Sequence, residues 1–131
     1  MKLLLDTQAW LWMQASPEKL SPEALDLVGD SRTELFFSAV SSWEISIKYA
    51  LGCLPLPAPP SEYVPSRMKS SGVQALPITH AHALQVGELP QHHRDPFDRL
   101  LIAQAQIEGL PILTSDRQFA AYKVKIRWAA P

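Results

Sequence analysis

The sequence predicts an α/β fold, a three-layer α/β/α sandwich around a mainly parallel central sheet. Short, continuous apolar runs such as Lys2–Leu5, Leu35–Ser38 and Pro111–Thr114 have the character of strands buried on both faces. Between them lie longer stretches with helical spacing and recognisable caps, so strands and helices alternate. The longest of these, opening at Asp95-Pro96, is apolar most of the way round and belongs inside the fold.

The elements follow in order. After the first strand, Thr7 to Met13 reads as a short helix, ended by Ser16-Pro17. Ser21-Pro22-Glu23 starts a second helix with a capping serine and a proline at its first position, and Gly29-Asp30 stops it. The strand at Leu35–Ser38 leads into a helix from about Val40 to Leu51, with Val40, Trp43, Ile47 and Ala50 at helical spacing and Gly52 as the stop. Leu54 to Pro65 holds five of the twelve prolines and reads as a loop, followed by a poor helix around Glu62 to Lys69. Val73–Ile78 contains Pro77 and is expected at a sheet edge. Thr79 caps a helix from His80 to Val86. The Asp95 helix ends at Gly109; Asp116 to Ala121 makes a helical turn, and Val124–Trp128 a last strand.

The chain of 131 residues is expected to form one domain, residues 1–131, with a single core. Apolar residues make up 47% and charged residues 19%, a globular balance and not a disordered one. A net charge of −1 means no overall field gathers a polyanion, so phosphates must be met by a local cluster or by bound metal. One cysteine, Cys53, excludes an internal disulfide and any multi-cysteine metal site. The apolar run after Lys2 is cut by Asp6, and no stretch approaches the roughly 20 apolar residues of a membrane span. A soluble, cytoplasmic protein is the expectation.

The chemistry lies in the acids. In open parallel sheets, ligands bind beyond the carboxyl ends of the strands. Asp6 ends the first strand, Asp116 follows the Ile112–Thr114 strand, Glu44 sits one turn into the helix after the second strand, and Asp98 lies in the first turn of the buried helix. Four crowded carboxylates repel unless a cation intervenes, and an all-oxygen donor set suits Mg²⁺ or Mn²⁺. Each acid also has a purely local explanation. Asp6 and Asp116 serve as helix caps, Glu44 completes a Ser41-x-x-Glu capping box or pairs with Lys48, and Asp98 adds charge to a helix start capped by Asp95.

Leu4-Leu5-Asp6-Thr7 resembles the opening of PIN domains, and Ser38 to Lys48, centred on Trp43-Glu44, resembles their second acidic block. His93-Arg94-Asp95-Pro96-Phe97-Asp98-Arg99-Leu100-Leu101-Ile102-Ala103-Gln104-Ala105 is similar to the third block of a VapC-like branch, and Leu113-Thr114-Ser115-Asp116 to the fourth. The resemblance implies an acidic quartet of Asp6, Glu44, Asp98 and Asp116 that holds Mg²⁺ or Mn²⁺ and hydrolyses RNA. It also implies a homodimer and a cognate VapB-like antitoxin whose tail fills the groove. Cys53 stands where relatives often have Lys.

Lesser candidates for substrate contact are Thr7, His93, Arg99, Thr114 and Ser115, while His92, Asp95 and Lys48 have structural explanations. Trp10 and Trp12 cannot share a helical face, which sets one of them toward an interface. Three other readings stay open on the residues: a phosphohydrolase of small phosphate esters, a housekeeping RNA-processing nuclease, and a non-catalytic interaction module. The first wants a second Asp two residues after the first, and this chain has Gln8 there.

Overall fold

In the computed structural model, which describes residues 1–131, five short strands form one sheet. They are β1 (Lys2–Leu5), β2 (Glu34–Ser38), β3 (Gln74–Leu76), β4 (Ile112–Thr114) and β5 (Ile126–Trp128). Their order is β3-β2-β1-β4-β5, and every pairing is parallel, not merely most of them. The chain steps outward from β1 to β2 and β3, then returns to the other side of β1 for β4 and β5. A crevice therefore opens between β1 and β4, where the winding changes direction.

Alternation along the strands sorts side chains onto two covered faces. Leu3, Leu5, Leu35, Phe37 and Leu113 point to one face, where they meet Ala9 and Trp10 of α1 (Thr7–Ala15), Ala24 of α2 (Pro22–Gly29), Ile45 of α3 (Ala39–Ala50) and Val64 of α4 (Pro60–Ser71). Leu4 and Ile112 point to the other, against Leu101, Ile102, Ala103 and Ala105 of α6 (Pro96–Glu108) and against Phe119 and Tyr122. Side-chain bonds from His82 and Gln85 of α5 (His80–Gln85) to Glu108 and Gln106 dock that helix on α6. The result is the expected α/β/α layering, with two cores, one on each face of the sheet, where the chain length suggested one.

Two segments depart from expectation. The proline-rich stretch is not a loop as far as Pro65: α4 begins at Pro60 and continues through Pro65. Pro60 occupies the first helical position, where its missing N–H is no loss, and burial of Tyr63 and Val64 offsets the bond that Pro65 cannot make. Gly72, at φ 68°, closes the helix in a left-handed turn that a side chain would strain. The last strand is shorter than predicted, Ile126–Trp128, because Val124 already bonds back to Tyr122.

One buried polar contact ties this frame to the site. Gln104, fully buried within α6, accepts a hydrogen bond from Ser38 Oγ at the end of β2 and donates to the Pro77 carbonyl at 3.1 Å. The same Ser38 hydroxyl accepts the Val40 N–H at 3.0 Å and so caps α3, the helix that carries Glu44. No helix is long and apolar enough to cross a membrane.

Candidate active site

Asp6 leaves β1 and Asp116 follows β4, on either side of the crevice between those neighbouring strands. α3 brings Glu44 and α6 brings Asp98 to the same place. All four acids line one cleft of about 350 Å³, together with Thr7, Gln8, Lys48 and Ser115. They lie 110 residues apart in the chain at the extremes (Asp6 to Asp116, 116 − 6), and the topology alone unites them.

Asp6 is 6% exposed. One of its oxygens accepts the Ala9 N–H at 2.6 Å, capping α1 as expected, and the other accepts the Thr114 hydroxyl from β4. Burial pushes its pKa up to about 6; the two hydrogen bonds resist this, and the charges of Glu44 and Asp116 reinforce it. Thr114 is fully buried and also accepts the Asp116 N–H at 3.0 Å, so it fastens two acids to one strand end and does not face substrate. Asp98 is pushed further, to about 8, by burial first and then by the charges of Asp95, Glu44, Asp116 and Asp6.

Glu44 is 6% exposed and held from two sides. Thr7 Oγ1 donates to Oε1 at 2.6 Å, and Lys48 ion-pairs with Oε2 one helical turn away. The expected capping box at Ser41 is absent: α3 is capped by Ser38, so Glu44 lies in the second turn and its carboxylate is free to enter the cleft. Lys48 was expected only to pair with Glu44. It does so, but it also lines the cleft, and its pKa is raised by the bond to Glu44 and by the charges of Asp95 and Asp98.

Several expected contacts fall elsewhere. Arg99 does not reach the cleft: it is 7% exposed, and its guanidinium donates to the carbonyls of Pro90, Val86 and Leu89. Its planar fork fits a loop of unpaired carbonyls, and that need outweighs any reach toward phosphate. His93 is not a solvated loop residue; its side chain is 8% exposed and stands behind Asp98, with Nε2 3.6 Å from Oδ2. His92 is exposed, edge-on to Tyr122. Asp95 caps α6 through the N–H groups of Phe97 and Asp98, as predicted, and adds its charge to Asp98. Trp10 is wholly buried against Phe37, and Trp12 is half-buried on the same core. Trp43 is the exposed tryptophan, edge-on to Phe97 at 4.9 Å.

The cleft holds four carboxylates, yet no three His, Cys, Asp or Glu side chains stand in a ready-made ligand cluster. The charges of these acids raise the pKa values of Asp6 and Asp98 in a poorly solvated cleft, and such repulsion favours carboxylates spread around its walls. Two larger concavities, of about 910 and 620 Å³, lie elsewhere, along α2 with β5 and at the amino ends of the strands. Neither gathers a comparable set of buried titratable groups, and chemistry outweighs volume in choosing the site.

A model of the PIN domain matches residues 3–125. The chain belongs to the PIN-domain family. Among characterised PIN proteins, ribonuclease VapC16 of Mycobacterium tuberculosis is 47% identical over 60 residues, which is 46% of this chain and 43% of that protein. The match thus spans less than half the length of that relative. A chain in the crystal structure of VapBC2 from Rickettsia felis bound to a promoter DNA fragment superposes with a TM-score of 0.72 at 14% identity, covering 98% of each chain. One in DNA-bound VapBC from Salmonella typhimurium gives 0.66 at 19%, again covering 98% of each. These structural likenesses establish that the PIN fold extends over the chain.

Proposed function

We propose that this PIN domain is a metal-dependent endoribonuclease hydrolysing RNA phosphodiester bonds, the toxin of a VapBC-like type II toxin–antitoxin pair. The observation that carries the proposal is the convergence of Asp6, Glu44, Asp98 and Asp116 on one cleft at the switch point of the sheet. The ribonuclease relative and the VapBC structures support the substrate and the partner respectively. By the same analogy the chain acts as a homodimer in the cytoplasm, restrained by a VapB-like antitoxin, and residues 1–131 are read as one domain.

The donor set fits a hard divalent ion, Mg²⁺ or Mn²⁺. Every cleft acid offers oxygen, and raised pKa values at Asp6 and Asp98 mark carboxylates short of positive charge. Asp6, Asp98 and Asp116 would hold the ion and Glu44 would complete its surroundings. When bound, the ion supplies positive charge and Lewis acidity opposite the scissile phosphate. The protein's own groups do the rest. Thr7 and Lys48 lock the Glu44 carboxylate in one orientation, suited to aligning an attacking water. The Lys48 ammonium, about half exposed on the cleft wall, offers a cation to the phosphate backbone. Ser115 and Thr7 line the same cleft. Gln8 lies there too, at the position where an aspartyl-phosphate enzyme requires a second acid.

Asp6→Asn tests the reading. Cleavage of single-stranded RNA in Mg²⁺ or Mn²⁺ is expected to fall roughly a thousandfold, about 4 kcal/mol of transition-state stabilisation, with circular dichroism unchanged. Undiminished cleavage by the folded variant overturns the proposal.

A further inference from the structure

Tyr122, just before β5, is 5% exposed, and its hydroxyl meets three nitrogens. The His93 backbone N–H and Arg99 Nη1 both lie 3.3 Å from the phenolic oxygen, and His93 Nδ1 lies 2.7 Å from it. The first two are donors in every state, an amide and a guanidinium that stays protonated. Between them they take both lone pairs of the oxygen, so the tyrosine proton must be donated onward. The shortest contact shows where it goes, to His93 Nδ1. A ring nitrogen that accepts carries no proton, which places the proton of neutral His93 on Nε2.

That Nε2 is buried, has no hydrogen-bond partner, and sits 3.6 Å from Asp98 Oδ2. A buried donor without an acceptor destabilises a fold unless it serves something nearby. The nearby group is an acid of the cleft, and less than an ångström of movement by Asp98 closes the gap to an ordinary hydrogen bond. His93 does not itself line the cleft, and its ring is wedged against Tyr122 and Phe119. It is aimed at the back of Asp98 and not at substrate.

We infer that Arg99, Tyr122 and His93 form a proton-ordered relay whose terminal Nε2–H positions the Asp98 carboxylate for a divalent cation. This rests on the metal-site reading above. His93 is thus a positioning residue. Arg99, which the sequence placed among substrate contacts, works three groups away by filling a lone pair of Tyr122. Groups behind a metal's carboxylate ligands commonly govern affinity in this way.

Two measurements test it. In metal-free protein with ¹⁵N-labelled histidine, the His93 signals, assigned by their absence in His93→Gln, are expected to report the Nε2–H tautomer. Tyr122→Phe, which keeps the ring and removes the proton, is expected to release that preference. By calorimetry, His93→Ala is expected to bind Mn²⁺ about tenfold to a hundredfold more weakly than wild type. His93→Gln, whose amide N–H reaches the place of Nε2, is expected to recover most of that loss. An Nδ1–H tautomer, or equal Mn²⁺ affinity in the Ala variant, overturns the relay. Should His93→Ala fail to fold, Tyr122→Phe decides: unchanged Mn²⁺ affinity with the tautomer preference lost has the same force. Wild-type protein that takes up no Mn²⁺ overturns the metal site itself, and with it this inference, whatever the tautomer.

Discussion

Ionising Asp98 is unfavourable whenever the cleft holds no cation. Its carboxylate is largely buried, faces four other acids, and has only His93 Nε2 at 3.6 Å for company. With a folded pKa of about 8 against 3.8 for the free side chain, the native state prefers the protonated acid while the unfolded chain prefers the anion. Asp98→Asn removes that conflict. At pH 8 without divalent ions the variant is expected to melt about 4 °C above wild type, roughly 1 kcal/mol for a domain of this size. At pH 2.5, below the pKa of both states of the wild type, the gain is expected to vanish. With Mn²⁺ restored at pH 8, RNA cleavage by the variant is expected to be lost. A variant that melts lower than wild type at pH 8 contradicts the account. This is the residue-scale form of a general conflict between stability and function, in which site residues are placed for a ligand and against the fold.

At the scale of elements, each acid is delivered by a different device. Asp6 is a cap, and the cap bond to Ala9 orients it. Glu44 is delivered by a helix whose start is set by Ser38, itself held by Gln104 from the opposite layer. Asp98 follows from the Asp95-Pro96 start of α6. α4 serves the core beneath α3 and carries the one helix-interior proline, Pro65. Pro65 is exposed, so the side chain itself contributes little packing. Pro65→Ala restores an N–H toward the Ser61 carbonyl, at the cost of a freer unfolded chain. Its net effect is expected to be stabilising by about 1–2 kcal/mol in a denaturant melt, since the helix-interior penalty of proline exceeds its entropic benefit. Destabilisation contradicts this account.

For the whole molecule, the raised pKa values of Asp6 and Asp98 set how stability varies with pH. Between about pH 4 and pH 8 the folded state binds more protons than the unfolded one, so unfolding free energy falls as pH rises. Protein stripped of divalent ions is therefore expected to have a higher Tm at pH 5 than at pH 8. A bound cation favours the ionised acids and reverses this. Mn²⁺ at about 100 times its Kd contributes about 2.7 kcal/mol. That gain is expected at pH 8 and is expected to shrink toward pH 5, where protons compete for the same oxygens. A Tm insensitive to both pH and Mn²⁺ excludes a cleft of coupled acids.

The alternation of strands and helices, the caps and the four acids are legible in the sequence, because period, capping chemistry and turn residues are local properties. The sequence misjudged α4, where a run of prolines hid the burial of Tyr63 and Val64, and of its local alternatives for Glu44 the capping box fails because Ser38 caps α3. Only the tertiary structure decided that β1 lies beside β4, which places Thr114 on Asp6 across 108 residues of chain. Only it turned Arg99 inward to the Val86–Pro90 carbonyls and set His93 behind Asp98. The reason is physical. Strand partners and the direction of a long polar side chain depend on which unpaired groups the rest of the chain leaves nearby, and no local pattern records that.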